Sequence, residues 1–214
     1  MHIKNVLASC AVLATAVLAQ SPAGFSPSTK VPLGVKYGDI ELCPGEELPQ
    51  AVPDAGNPSV FSLRPYPATY MILLVDLSIP FDLFPADETK TLVPGLGPNR
   101  TTRLHWWQTN VTRNPKTGTF VYPNNTALAP YAGPMPPQGD IFHDYVFWLF
   151  PQPKTFVPPS AAVVASYQDP GSTTRFNYSL PALVRQVGNP LAANYMRVEN
   201  AANPGAPTKP TFGH

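Results

Sequence analysis

Apolar residues along this chain come in short runs, each closed by Pro, Gly or Asn, and that spacing predicts a mainly β domain. The strand candidates are residues 70–76, 104–111, 145–150, 162–167 and 194–198. The first and third are apolar at consecutive positions, which places them in the sheet interior with both faces covered. Residues 179–188 break the pattern. Ser179 stands at an N-cap, Pro181 follows early, apolar residues recur at helical spacing and Gly188 ends the run, so one short amphipathic helix packs on the sheet.

The ends of the chain read differently. Residues 1–19 have the form of a secretory signal: Lys4, an apolar run from Val6 to Leu18, and a small-residue cleavage site before Gln20. The run is shorter than the roughly 20 apolar residues a membrane span needs, and no later segment is long enough. Residues 20–31 are a Ser/Pro-rich flexible lead-in, 32–199 the folded domain, and 200–214 a Pro/Gly-rich tail that lacks the periodicity to bury a face. The expected location is extracellular.

Charge then excludes whole classes of partner. Of the 14 basic residues Lys4 falls in the leader, which leaves 13 against 13 acidic ones. No basic stripe exists to release counterions from nucleic acid or to hold an anionic membrane. The leader also holds Cys10, so Cys43 is expected either as a buried small hydrophobe or as an unpaired thiol open to a second chain. Four sequons, at Asn99, Asn110, Asn124 and Asn177, fit passage through a glycosylating route.

Four polar residues stand out inside apolar runs. Asp76 ends a buried strand, where a carboxylate either caps the turn toward Pro80 or meets a partner in a cleft. His105 opens another strand, as a core-edge histidine or as a ligand. His143 and Tyr145 are two apart at a strand start and so share a face. The loop that feeds them, 131–142, holds Gly133, Pro134, Pro136, Pro137 and Gly139, and reads either as a stiff edge loop or as backbone set close to a ligand.

These residues, in this order, resemble the phosphatidylethanolamine-binding protein family, and a secreted, fungal-type member of it. The resemblance runs from about Val35 to about Val198. It rests on Asp76-Leu-Ser78-Ile-Pro80, Leu104-His105-Trp106 with Asn110, the Gly-Pro-x-Pro-Pro-x-Gly loop leading to His143-x-Tyr145, and Tyr178-Ser-Leu followed by Val187-Gly188-Asn-Pro190. It implies a large antiparallel sheet packed on a smaller one, with one or two short helices and an anion pocket at one end of the sheet. Asp76, His105, His143 and Tyr145 form the pocket, with Pro134, Pro136 and Gly139 as its wall. No cofactor and no common catalytic activity come with it; the implied ligand is a small anion or phospholipid headgroup, and a peptidase is the implied protein partner. The chain departs from the family at Ser78, where a second Asp is usual, and at Asp144, where Arg is usual, so a supporting ion pair is absent. A C-terminal helix near the pocket is replaced by the Pro/Gly-rich tail.

Physical chemistry adds detail to that picture. His105, His143 and the Tyr145 hydroxyl offer three donors to a phosphate, and Asp76 can fix a histidine tautomer. Anions should bind more tightly as pH falls toward the histidine value of roughly 6.5. Asp144 alternates away from His143 and faces water, and Asn110, an odd number of residues from His105, faces away from the pocket in a regular strand. The resulting reading is a secreted, non-catalytic binding protein. The alternatives are an inhibitor of serine peptidases or carboxypeptidases, and a metalloenzyme using the two-His, one-carboxylate set Asp76, His105 and His143. No Gly-x-Ser-x-Gly elbow, His-Glu-x-x-His pair or phosphate loop is present.

Overall fold

In the computed structural model of the protein, residues 20–64, 69–80, 99–124 and 126–200 are described. Their strands are β1 (Gly34–Tyr37), β2 (Ile40–Glu41), β3 (Glu46–Pro49), β4 (Ser59–Phe61), β5 (Tyr70–Pro80), β6 (Arg100–Arg113), β7 (Phe120–Val121), β8 (Ala127–Ala129), β9 (His143–Pro151) and β10 (Ala192–Glu199). A seven-stranded sheet runs β3-β10-β9-β5-β6-β7 with β8 also on β6, and a three-stranded sheet runs β2-β1-β4. Every pairing in the large sheet is antiparallel except β3 with β10.

The large sheet is covered on both faces, which is why its middle strands are apolar throughout. Ile72, Leu74, Phe147 and Leu149 point to the small sheet and meet Val35 and Val60, while Met71, Leu73, Trp148 and Phe150 point the other way. That second face is closed by α2 (Ala161–Tyr167) and α3 (Leu180–Val187) through Tyr167, Leu180, Leu183 and Val187. In α3, Ser179 Oγ accepts the Ala182 N–H, Pro181 sits in the first turn, and Gly188 ends the helix at φ 92°, a conformation only glycine takes without strain.

Three observations correct or extend the sequence reading. Residues 162–167 are helical and not a strand: Ser160 Oγ accepts the Val163 N–H, and the alanines around Val163-Val164 outweigh the β-branched pair. The described residues hold three α-helices, α1 (Ala51–Asp54) being a single turn, where one or two were expected. Residues 20–31 send Phe25 into the core, its ring 5.6 Å from that of Trp148. Residues 1–19, and all but Asn200 of the tail, lie outside the described residues, and with them the signal and tail readings. No described helix is long and apolar enough to cross a membrane.

Candidate functional site

Asp76 lies on the central strand β5, directly opposite Tyr145 on β9 and Arg103 on β6, so three strands set these residues in one row. Side chains in register share a face and stand about 5 Å apart. Both Asp76 and His143 are wholly buried. His143 Nδ1 donates to Asp76 Oδ2 at 2.8 Å, and its Nε2 donates to Asp140 Oδ2 at 2.9 Å. Carboxylates only accept, so both ring nitrogens carry hydrogen and the ring is an imidazolium. Burial works against that charge, but Asp76 and then Asp140 outweigh it and raise His143 above its ordinary value. Burial would likewise raise Asp76, but the charge and hydrogen bond of His143, with the Ser78 N–H at 2.7 Å, hold it below the usual carboxylate range.

Arg100 closes this chain of charges. Its Nη1 and Nη2 grip Asp140 at 2.5 and 2.7 Å, and Nη1 also donates to the Ser78 carbonyl at 2.8 Å. Asp140, which burial alone would raise, is held well below its ordinary value by Arg100 and His143. Ser78 keeps a role at its departure from the family: its Oγ accepts the Asp144 N–H at 3.0 Å. Asp144 is half-buried and lies 3.5 Å from Arg197 Nε, so it does not simply face water; burial pushes it up to about 6.

His105 reaches the same end of the sheet through an irregularity. Leu74 pairs with Trp106 and Val75 with Leu104, which leaves His105 as the extra residue of a bulge, with His105 and Trp106 both toward the small sheet. Its Nδ1 lies 3.0 Å from the Ala132 carbonyl and 3.1 Å from that of Gly133. Carbonyls only accept, so Nδ1 holds the hydrogen and Nε2 is a bare acceptor. Burial and the nearby Arg103 charge push His105 down to about 4, so it stays neutral. The fully buried Arg175 braces this strand from behind, with bonds to the carbonyls of His105, Pro130 and Tyr167.

The donor set therefore differs from the expected one. His143 spends both nitrogens on carboxylates and His105 presents an acceptor, so of the three expected donors only the Tyr145 hydroxyl is unspent. That hydroxyl is buried, with its ring 5.2 Å from His105 and 6.2 Å from His143. Burial, then the charge of Asp76, push the phenol far up; the hydroxyl lies near the Asp76 carboxylate and the Met135 backbone, but neither contact has ordinary hydrogen-bond geometry, which leaves it unpartnered. His105 Nε2 is also buried and unpartnered. Neither histidine keeps the ordinary value of 6.5 on which the expected pH dependence was based: His143 is raised above it and His105 is lowered to about 4.

The loop before β9 is fixed from several sides. The Tyr131 hydroxyl bonds to that of Tyr37 and to the Pro53 carbonyl, both at 2.8 Å, and the Pro134 carbonyl accepts from Gln50 Nε2 at 2.9 Å. Gly133 lies against Asp54 so closely that a methyl group there would meet its carboxylate. Pro134 and Pro136 are buried, whereas Gly139 is exposed and turns the chain at φ 83° just before Asp140. Asp140, Arg100 and Arg103 were not among the candidates from sequence. Among the described residues no group of three or more His, Cys, Asp or Glu side chains is arranged to hold a metal, and both ring nitrogens of His143 are taken up by carboxylates.

Other candidate positions lie away from this end. Asn99, Asn110 and Asn124 are exposed and Asn177 is half-buried. Asn110 bonds Gln152 near the opposite end of β5, and bulges on β6 between it and His105 remove the alternation count. Cys43 is half-buried and disulfide-bonded, neither the buried hydrophobe nor the unpaired thiol expected; Cys10 lies outside the described residues.

Comparisons with known proteins agree with this architecture. The chain is 27% identical over 198 residues to phomoidride biosynthesis cluster protein N of Talaromyces stipitatus, covering 85% of this chain and 91% of that one. It is 31% identical over 136 residues to the protein of the same name from Fungal sp., covering 62% of this chain and 53% of that one. Its fold is similar to a carboxypeptidase Y inhibitor complexed with its cognate proteinase, at TM-score 0.56 and 16% identity over 81% of this chain and 85% of that one. It is similar also to a phosphatidylethanolamine-binding protein from Plasmodium vivax, at TM-score 0.55 and 18% identity over 82% and 91%. The family model for phosphatidylethanolamine-binding protein matches residues 61–199, a stretch that contains the whole row of Asp76, Arg103, His105, His143 and Tyr145. The chain therefore belongs to the phosphatidylethanolamine-binding protein family.

Proposed function

We propose that this chain is a secreted, non-catalytic binding protein whose site at the Asp76 end of the large sheet takes a small anion of the phosphate or phospholipid-headgroup kind. The observation that carries the reading is the pair of buried, unpartnered polar atoms, His105 Nε2 and Tyr145 Oη, beside the Asp76–His143 ion pair. Such atoms cost about 1–3 kcal/mol each when nothing meets them, and a bound ligand removes that cost. Asp140 supports the reading from within the chain, since its carboxylate is an anion seated on His143 and Arg100. The naming of two relatives after a biosynthesis cluster favours a small metabolite over a membrane as the source of the anion. Calorimetry with phosphate, phosphoethanolamine and phosphatidylethanolamine vesicles tests it. Wild type should bind, and Tyr145→Phe, which removes only the unpartnered hydroxyl, should bind several-fold more weakly. Absence of heat from all three probes with wild type would sink the proposal.

A second reading is inhibition of a serine peptidase or carboxypeptidase through the loop before β9. Met135 and Ile141 stand exposed there at 46% and 47%, apolar side chains on a braced loop. Unchanged hydrolysis across a panel of such peptidases at micromolar protein would dismiss it. Secretion implies glycans at the exposed Asn99, Asn110 and Asn124, which a mass shift on enzymatic deglycosylation of protein from a eukaryotic host would reveal.

A further inference from the structure

A third polar atom at this end is buried without a partner, and it belongs to a residue outside the pocket set implied by the family. Arg103 sits directly across from Asp76 and two residues before His105. Its Nη2 is committed to the Pro170 carbonyl at 2.8 Å and its guanidinium lies over the Phe176 ring at 4.9 Å, so the side chain is held in place. Its Nε–H meets nothing. Asp76 is flanked in register by Arg103 on one side and Tyr145 on the other, and His105 packs edge-on against Tyr145.

The hydrogen inventory of these three atoms is unequal. Arg103 Nε and the Tyr145 hydroxyl can donate. His105 Nε2 can only accept, because two backbone carbonyls fix the hydrogen on Nδ1. A ligand made of bare anionic oxygens would satisfy the two donors and turn a lone pair toward the third atom.

We infer that the site selects an oxyanion that also carries a hydrogen on oxygen, with Arg103 and Tyr145 donating to its charged oxygens and His105 Nε2 accepting its O–H. This rests on the reading of the site as an anion pocket. Inorganic phosphate keeps that hydrogen through neutral pH, and a phosphomonoester keeps it in the monoanion present at and below its second pKa of about 6; sulfate and phosphodiesters, including the phosphate of an intact phospholipid, do not have it. Arg103 is then a ligand-contacting residue.

The test is calorimetry on the full chain at pH 6 with inorganic phosphate, sulfate, phosphoethanolamine and dimethyl phosphate. Phosphate and phosphoethanolamine should bind at least roughly a hundredfold more tightly than sulfate and dimethyl phosphate, as sites built around one hydrogen bond reject analogues lacking it. Arg103→Met should bring phosphate affinity down by about tenfold or more while leaving the preference over sulfate in place, since His105 sets the preference. Nitrogen-15 spectra of the His105 ring should show hydrogen on Nδ1 and none on Nε2. Equal affinity for phosphate and sulfate would overturn the inference and leave the anion site standing, as would hydrogen on His105 Nε2. Binding of none of the four probes would overturn both.

Discussion

Replacing Asp76 by Asn removes one charge and changes almost no volume, and the structure says what should follow. Asp76 accepts two hydrogen bonds in full burial, from His143 Nδ1 and from the Ser78 N–H. The Asn carbonyl can keep the Ser78 bond, but its amide then faces His143 Nδ1 with hydrogen on both sides. His143 must give up that hydrogen and become a neutral ring that donates from Nε2 to Asp140. Removing one partner of a buried pair costs about 3–5 kcal/mol, and the escape by deprotonation places this case near the lower end, ~3 kcal/mol. For a chain of this size that lowers Tm by roughly 6–12 °C. The difference also has a pH signature. His143, raised above 6.5, contributes stability that is complete below 6.5 and lost as pH rises through its folded value. Asp76, lowered below 3.8, contributes stability present above 3.8 and lost as pH falls through its folded value. The gap in Tm between wild type and Asp76→Asn should therefore be widest between about pH 4 and 6.5. Scanning calorimetry across pH 3–9, with nitrogen-15 spectra of the histidines, measures both effects. A variant that melts with wild type throughout, with His143 still charged at pH 7, would refute the argument.

Asp140→Ala frees His143 and Arg100 from a carboxylate tethered in place, and phosphate affinity measured by calorimetry should rise several-fold, because a tethered group competes at millimolar effective concentration. Arg175→Met leaves the carbonyls of Tyr167, His105 and Pro130 facing an apolar side chain in full burial, and a urea midpoint should report a loss of about 3–5 kcal/mol. Phe25→Ala should cost about 3 kcal/mol by the same assay, as for other buried aromatics, whereas an undocked 20–31 segment predicts no change.

The parts of this fold that could be read from sequence are those where a local pattern carries the information. β5 and β9 announced themselves by apolar residues at consecutive positions, because both of their faces are covered. Asp76, His143 and Tyr145 were visible as polar residues within or beside such runs. α2 was misread because Val163, Val164 and Tyr167 have strand preferences, and only the capping contact of Ser160 and the surrounding alanines reverse them. Arg100 and Asp140 carry no local signal, since their meeting depends on the loop before β9 folding back over the start of β6. Arg103 was open to detection, because strand alternation places it on the face of His105 and an arginine in a buried run needs a reason. The tautomer of His105 was beyond any sequence pattern; it is set by two carbonyls 27 and 28 residues away.

The bulge on β6 has one more consequence. His105 is surplus to the ladder: Leu104 pairs with Val75 and Trp106 with Leu74, so the hydrogen-bonding frame of the sheet closes without it. Deleting the single residue would restore strict alternation, with Leu104 and Trp106 still on opposite faces, at the cost of the bonds its carbonyl accepts from the Ala132 N–H and from Arg175. Substitutions that shrink Asp76 or Tyr145 disturb the proposed site and the sheet together, because both residues belong to both. A one-residue deletion separates them. A chain shortened at this position would thus serve as a ligand-blind control for the proposed site.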